Sequence, residues 1–224
     1  MLLNSSERKI NIAAVIPFYN ERNFIRGVIS ETLNYTDIVI AVDDGSTDNS
    51  AEQIKDFKNV ILISNEKNFG KGYSLRKGFE KAIELNSQFI VALDADGQHK
   101  PGLIPTMLDI ISECDIVIGN RMNDVNNMPL QRILSNRITS FLLSKKLGVQ
   151  IKDSQCGFRV YRRKVLESVK TSFNGFEAES EILVYAARKN FKIIFVDIPT
   201  VYENQNSKMK AWQAIKGFIK VLKL

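Results

Sequence analysis

Short runs of apolar, β-branched residues recur roughly every 25–30 residues, and an amphipathic stretch fills each gap between them. That alternation is the pattern of βαβ units, and it argues against both a helical bundle and a two-sheet sandwich. Strands are expected over 10–16, 38–42, 60–63, 89–93, 116–118 and 193–196. Most are continuous apolar runs, as suits a parallel sheet buried on both faces. Helices are expected over 21–33, 50–57, 71–85, 103–112, 130–147 and 177–189, where apolar residues recur at three- and four-residue steps. The expected fold is therefore α/β, a Rossmann-like, mostly parallel sheet flanked by helices. A chain of 224 residues buries roughly 70% of its unfolded surface, so it needs no cystine or metal staple. The only cysteines, Cys114 and Cys156, share no CxxC spacing and read as reduced intracellular thiols.

In open α/β sheets, ligands bind beyond the carboxyl ends of the strands. There the sequence places Pro17-Phe18-Tyr19-Asn20-Glu21, then Asp43-Asp44-Gly45-Ser46-Thr47-Asp48, then Asp94-Ala95-Asp96-Gly97-Gln98-His99. Four carboxylates at one edge, Asp43, Asp44, Asp94 and Asp96, repel unless a cation or hydrogen-bond donors compensate them. Asp94 and Asp96 are two apart, so on extended backbone both face the same side and suit one hard divalent ion, Mg2+ or Mn2+. Such an ion would bridge a diphosphate. A pair of loop caps is the plainer reading of the same residues, just as Asp44 to Asp48 also reads as a turn and helix N-cap. Asn68-Phe69-Gly70-Lys71-Gly72 is glycine-rich ahead of a helix but has neither phosphate-loop nor dinucleotide-fingerprint spacing. Its lysine and helix start still suit a phosphate or ribose. His99 is the only histidine, which excludes two-histidine chemistry and disfavours a histidine-built zinc site.

Charge is segregated. Residues 1–120 carry 12 Lys and Arg against 17 Asp and Glu, whereas residues 121–224 carry 19 against 8. The second half, at +11, calls for an anionic partner. No run reaches the ~18 apolar residues of a membrane span, and the N-terminus has no signal-peptide core, so neither export nor membrane crossing is expected. From Lys208 to Leu224 there are five lysines and no acid, with Met209, Trp212, Ile215, Phe218, Ile219 and Leu222 on one helical face. This basic amphipathic helix suits either an anionic bilayer interface or packing on protein, a partner included. The expected division is a catalytic region over 1–206 and this helix over 207–224. Nucleic acid is not an expected partner, because no nucleic-acid module motif accompanies the basic residues.

Taken in order, these motifs resemble the family 2 inverting glycosyltransferases of A-type fold, in particular the dolichyl-phosphate mannosyltransferase-like and polyprenyl-phosphate glucosyltransferase-like branch. Pro17 to Glu21 resembles the family's P-x-Y-N-E, Asp43 to Asp48 its DDGSxD, Gly70-Lys71-Gly72 its GKG, and Asp94 to Gln98 its DADxQ. Gly119-Asn120-Arg121 resembles its G-x-R, and Asp153 to Arg159 its D-x-x-x-G-F-[RK]. The resemblance implies that Pro17, Tyr19, Glu21 and Asp43 bracket the donor nucleoside, with Asp44 and Lys71 also on the donor side. It implies that Asp94, Asp96 and Gln98 hold the metal and diphosphate, and that Arg121 faces the donor and acceptor phosphates. Arg132, Ser135 and Asn136 would line the acceptor site, although Arg137, Lys145 and Lys146 also read as a solvated helix face. Asp153 is a candidate base or orienting group. Glu181 matches a family position, whereas Glu177 and Glu179 read as helix-start charge.

The implied reaction moves a hexose from a nucleotide sugar, GDP-mannose or UDP-glucose, to a polyprenyl or dolichyl phosphate at the cytoplasmic face of a membrane. A membrane-protein partner or homo-oligomer is compatible with it. Tyr202-Glu203-Asn204-Gln205-Asn206 stands before Ser207-Lys208 where mannosyltransferases of the branch carry arginine and glycine, which weakens mannose as the sugar. A saccharide-hydroxyl acceptor, for which Asp153 would be indispensable, and a non-catalytic nucleotide-sugar-binding module are the alternatives.

Overall fold

The computed structural model describes residues 11–126, 128–199 and 211–224. Its strands are β1 (Ile12–Phe18), β2 (Ile38–Asp43), β3 (Val60–Ser64), β4 (Phe89–Ala92), β5 (Ile116–Asn120), β6 (Arg159–Arg162) and β7 (Ile193–Asp197). They form one sheet in the order β3-β2-β1-β4-β6-β5-β7. The pairs β1–β2, β2–β3, β1–β4 and β5–β7 are parallel. β6 runs antiparallel to both of its neighbours, β4 and β5. The flanking helices are α1 (Ile25–Thr32), α2 (Lys71–Glu84), α3 (Ile104–Ile110), α4 (Leu130–Leu147), α5 (Arg163–Ser168), α6 (Ala178–Arg188) and α7 (Ala211–Lys223).

The parallel strands are fully buried over Ala13, Ala14, Val15 and Ile16 of β1 and Val39, Ile40, Ala41 and Val42 of β2. This is why they read as unbroken apolar runs rather than alternating ones. β6 and α5 are absent from the sequence expectation. Four residues, Arg-Val-Tyr-Arg, do not look like a central strand, because burying a guanidinium is costly unless its donors are met. Here they are met. Arg159 donates to the carbonyls of Cys156, Glu179 and Ser154, and Arg162 to those of Cys114, Ile111 and Ser112.

Three expected helices are shorter than the periodicity suggests. Helix 21–33 begins only at Ile25, because Asn20 takes a left-handed φ of 54° and Glu21 N–H donates to Ser50 Oγ, which commits that turn to the neighbouring loop. Helix 50–57 is a single 3-10 turn, Ala51–Ile54, and 103–112 splits into α3 with a 3-10 turn at each end.

In α7, Val221 is fully buried in the core, and Lys220 Nζ lies 3.3 Å from Glu177 Oε1 just before α6. Lys146 Nζ, at the end of α4, donates to the Leu222 carbonyl at 2.7 Å. The described part of this helix therefore packs on protein, while Ile219 stays 47% exposed. Met209, residues 202–208 and the side chains of Trp212 and Ile215 lie outside the described part of the chain. Among the described residues no helix is long and apolar enough to cross a membrane.

Candidate active site

The antiparallel course of β6 assembles the site. Because β6 runs opposite to its neighbours, its start, not its end, lies at the carboxyl edge of the sheet, with Arg159 opposite Ala92 of β4 and Ile118 of β5. The preceding loop, 153–158, therefore arrives beside the segments that follow β4 and β5. A Cβ on Gly157 would fall 2.5 Å from Asp94 Oδ2, so only glycine lets this loop approach the Asp94 carboxylate so closely.

Asp94 accepts from Lys71 Nζ at 2.5 Å, and the same ammonium lies 2.9 Å from Glu179 Oε2. Burial alone would drive the Lys71 ammonium toward neutrality, but the two carboxylates outweigh it and raise its pKa. The reciprocal effect, with His99 added, holds the Asp94 carboxyl far below the usual carboxylate range against its own desolvation. His99 Nε2 sits 3.6 Å from Asp94 Oδ2, and its buried Nδ1 has no hydrogen-bond partner. Asp96 behaves oppositely: burial, then the nearby Asp94 charge, raises its pKa, although Gln98 N–H donates to its Oδ1 at 3.0 Å. Gln98 is half-buried beside it.

A carboxylate kept anionic beside a second one disfavoured by its charge is an arrangement that a divalent ion would relieve. Among the described residues no three His, Cys, Asp or Glu side chains converge to enclose an ion. Asp94 and Asp96 instead fit an ion of the Mg2+ or Mn2+ type, which commonly takes one or two carboxylates and completes its shell with substrate phosphates and water.

On the other side of the edge, Asp153 is fully buried and accepts from Arg121 Nε at 2.9 Å, Arg121 Nη2 at 3.0 Å, Asn136 Nδ2 at 2.6 Å, and the N–H groups of Arg121 and Gln155. Burial would raise its pKa, but the Arg121 guanidinium and these donors lower it. A carboxylate so saturated is a weak base, and the geometry makes it the group that aims Arg121. Ser135 accepts from Gln155 Nε2 at 3.2 Å, and Arg132 lies half-buried one turn earlier on α4. Asp153 also sets an acid limit. With its folded pKa below the ordinary 3.8, the stability it contributes is complete above that value and is lost as pH falls through the lower folded one. Urea midpoints are expected to be flat at neutral pH and to fall below about pH 4, less steeply in Asp153→Asn.

Several donor-side residues have definite jobs within the fold. Pro17 is buried at the end of β1, and Tyr19 is 36% exposed on the loop that follows, next to half-buried Glu21. Asp43 accepts from Ser46 N–H. Ser46, Asp48 and Ser50 accept from the N–H groups of Asn20, Arg22 and Glu21, stitching the two loops together. Asp44, expected near ribose or diphosphate, accepts from Asn65 Nδ2, Phe69 N–H and Gly70 N–H, so both its oxygens hold the 65–70 loop. The start of α2 is not an open phosphate cradle either, because Gly72 and Tyr73 N–H both donate to the Asn174 carbonyl.

Glu179, read as helix-start charge, is 5% exposed and grips Lys71 from 108 residues away. Glu181 is buried and accepts from Ser172 and Phe173, a structural tie for that loop. Burial pushes the Cys156 thiol up to about 12, which removes it as a nucleophile.

The family model of glycosyl transferase family 2 matches residues 13–170, more than half of the chain, a span that holds the segments 17–21, 43–48, 70–72, 94–98, 119–121 and 153–159. The chain is 32% identical to a UDP-N-acetylglucosamine–dolichyl-phosphate N-acetylglucosaminyltransferase of Methanococcus voltae, over 92% of each chain. It is 30% identical to a dolichyl-phosphate beta-glucosyltransferase of Trichomonas vaginalis, over 95% of this chain and 71% of that one. Among solved structures, it superposes on glucosyl-3-phosphoglycerate synthase from Mycobacterium tuberculosis, in complex with Mn2+, UDP-glucose and phosphoglyceric acid, with a TM-score of 0.75. That likeness is at 17% identity and covers 96% of this chain and 80% of that one. The fold is thus the A-type glycosyltransferase fold.

Proposed function

Since the chain belongs to glycosyl transferase family 2, we propose that it moves a hexosyl unit from a nucleotide sugar to a polyprenyl phosphate, as a peripheral enzyme on the cytoplasmic side of a membrane. The dolichyl-phosphate acceptors in the names of the two relatives support that acceptor, and glucose or an N-acetylhexosamine from a uridine donor fits those names better than mannose. The observation that carries the reading is the Arg121–Asp153 pair. A sugar hydroxyl has to lose a proton as it attacks, and Asp153, the candidate base, is fully buried and made weakly basic by five donors. A lipid phosphate is already an anion near neutral pH and needs only to be aimed, which a rigid guanidinium fork does well.

On this reading Pro17, Tyr19, Glu21 and Asp43 border the nucleoside, and Asp94, Asp96 and Gln98 hold the diphosphate with its divalent ion. The ion would supply Lewis-acid stabilisation of the departing diphosphate. Arg121, with Arg132 and Ser135 of α4, receives the acceptor phosphate. One phosphate oxygen attacks the anomeric carbon as the bond to the diphosphate breaks on the opposite face, which inverts the configuration. Lys71, fixed by Asp94 and Glu179, provides positive charge beside the leaving group.

Arg121→Ala is expected to lower kcat by roughly 10²–10³ while nucleotide affinity stays within about threefold. Arg121→Lys, which keeps the charge and loses the fork, should recover only part of that loss. A variant that loses nucleotide affinity and keeps kcat would place Arg121 on the donor side instead. The described helix α7, Ala211–Lys223, is proposed as part of the same folded unit rather than a separate anchor, given the packing of Val221 in the core.

A further inference from the structure

A helix on the surface of a water-soluble domain turns its apolar face to the core and its polar face outward. α4 is reversed. Three of its four fully packed residues are polar: Asn136, Thr139 and Ser140, which bond Asp153 and Ser154, stand beside Leu143. Its outer face carries Leu130 (81% exposed), Leu134 (62%), Ile138 (48%) and Phe141 (67%), spaced four, four and three residues apart. Exposed Arg137 and Lys145 border this stripe, Val149 extends it past the Gly148 cap, and the helix contains no Asp or Glu.

We infer that the outer face of α4 is the membrane-docking surface of the protein, lying in the headgroup–acyl boundary of an anionic bilayer. An apolar stripe edged by cations is the pattern of an interfacial helix, with the side chains entering the acyl boundary and the cations meeting lipid phosphates. The charge of the second half, +11, is complementary to such a surface. A second copy of the chain is a poorer occupant. Two-fold pairing through this face would bring the Arg137 and Lys145 cations of both copies into one interface with no carboxylate on the helix to offset them.

The inference rests on the lipid-phosphate reading and names the surface which that reading leaves open. It also connects docking to the site, because the inner face of the docked helix holds Asp153 through Asn136 and Gln155 through Ser135 and Thr139. A helix lying in the interface is about 10 Å across, so Arg121 and Asp153, on its inner side, would stand near headgroup depth, where a lipid phosphate resides.

The test is co-sedimentation of the full chain with phosphatidylcholine vesicles containing 30% phosphatidylglycerol and no polyprenyl phosphate. Wild type is expected to partition to the vesicles, more weakly as salt rises. The pair Leu134→Gln and Phe141→Gln should lower partitioning by roughly tenfold or more. Both side chains are exposed, so the urea midpoint should stay put. Equal partitioning of variant and wild type would overturn the inference, as would a wild type that remains in the supernatant, or a wild-type dimer in sedimentation equilibrium that the variant converts to monomer. Transfer to a water-soluble short-chain prenyl phosphate, measured in the same proteins, keeps the two claims apart. Its retention in the variant alongside lost vesicle binding supports docking through α4, and its absence in wild type counts against the acceptor reading alone.

Discussion

Asp96→Asn is expected to lower sugar transfer by roughly 10³-fold, because the carboxylate proposed to share the ion with Asp94 is gone and several kcal/mol of leaving-group stabilisation go with it. The fold should not suffer. Burial and the Asp94 charge raise the Asp96 pKa, which means that its charged form costs stability at neutral pH. Asparagine has the same shape without that charge, so the urea midpoint should hold or rise slightly. Activity and stability then move independently, as a site residue requires and a structural one does not. Wild-type turnover by the folded variant would remove the ion from Asp96.

Arg159→Met should have the opposite profile, a loss of roughly 3–5 kcal/mol of folding stability in urea denaturation. The guanidinium is fully buried and donates to the Cys156 and Glu179 carbonyls at 2.7 Å and the Ser154 carbonyl at 3.0 Å. Methionine fills a similar volume but leaves three buried carbonyls without these donors, at about 1–3 kcal/mol each where no water replaces them. Against a total stability of about 5–15 kcal/mol, that is a large share. The three carbonyls belong to the loop that carries Asp153 and to the start of α6 that carries Glu179, so surviving protein should also show weakened activity. A loss below about 1 kcal/mol would mean that the arginine is not the clamp its bonds suggest.

The pair Arg159 and Arg162 also explains what could be read from the sequence and what could not. Six strands announce themselves because each is a short apolar run rich in β-branched residues, with those of β1 and β2 almost wholly buried. β6 does not, since two of its four residues are arginines whose carbonyl partners, as far away as Ile111 and Glu179, become visible only in three dimensions. The acidic residues of the site were legible for a positional reason: strands end at Asp43, just before Asp44, and shortly before Asp94, and ligands gather at such ends. Their division of labour was not. The sequence does not show that both Asp44 oxygens also hold the 65–70 loop through Asn65, Phe69 and Gly70. Glu179 stands in the first turn of α6, as its reading as helix-start charge expects, but neither its contact with Lys71 nor the five donors around Asp153 can be read from the sequence. In each case the deciding partner is distant in sequence, so no local spacing carries the signal. The apolar stripe of α4 was hidden differently: a helical period shows that a face exists, and only packing shows that it points outward.

The most direct test of the central claim is transfer of radiolabel from UDP-glucose, UDP-N-acetylglucosamine and GDP-mannose into the organic phase in the presence of polyprenyl phosphate, with manganese or with EDTA. Manganese-dependent label in that phase from one donor, lost in Asp96→Asn and Arg121→Ala, is the result predicted here. Label that appears only on a water-soluble saccharide, with the organic phase empty, would contradict it.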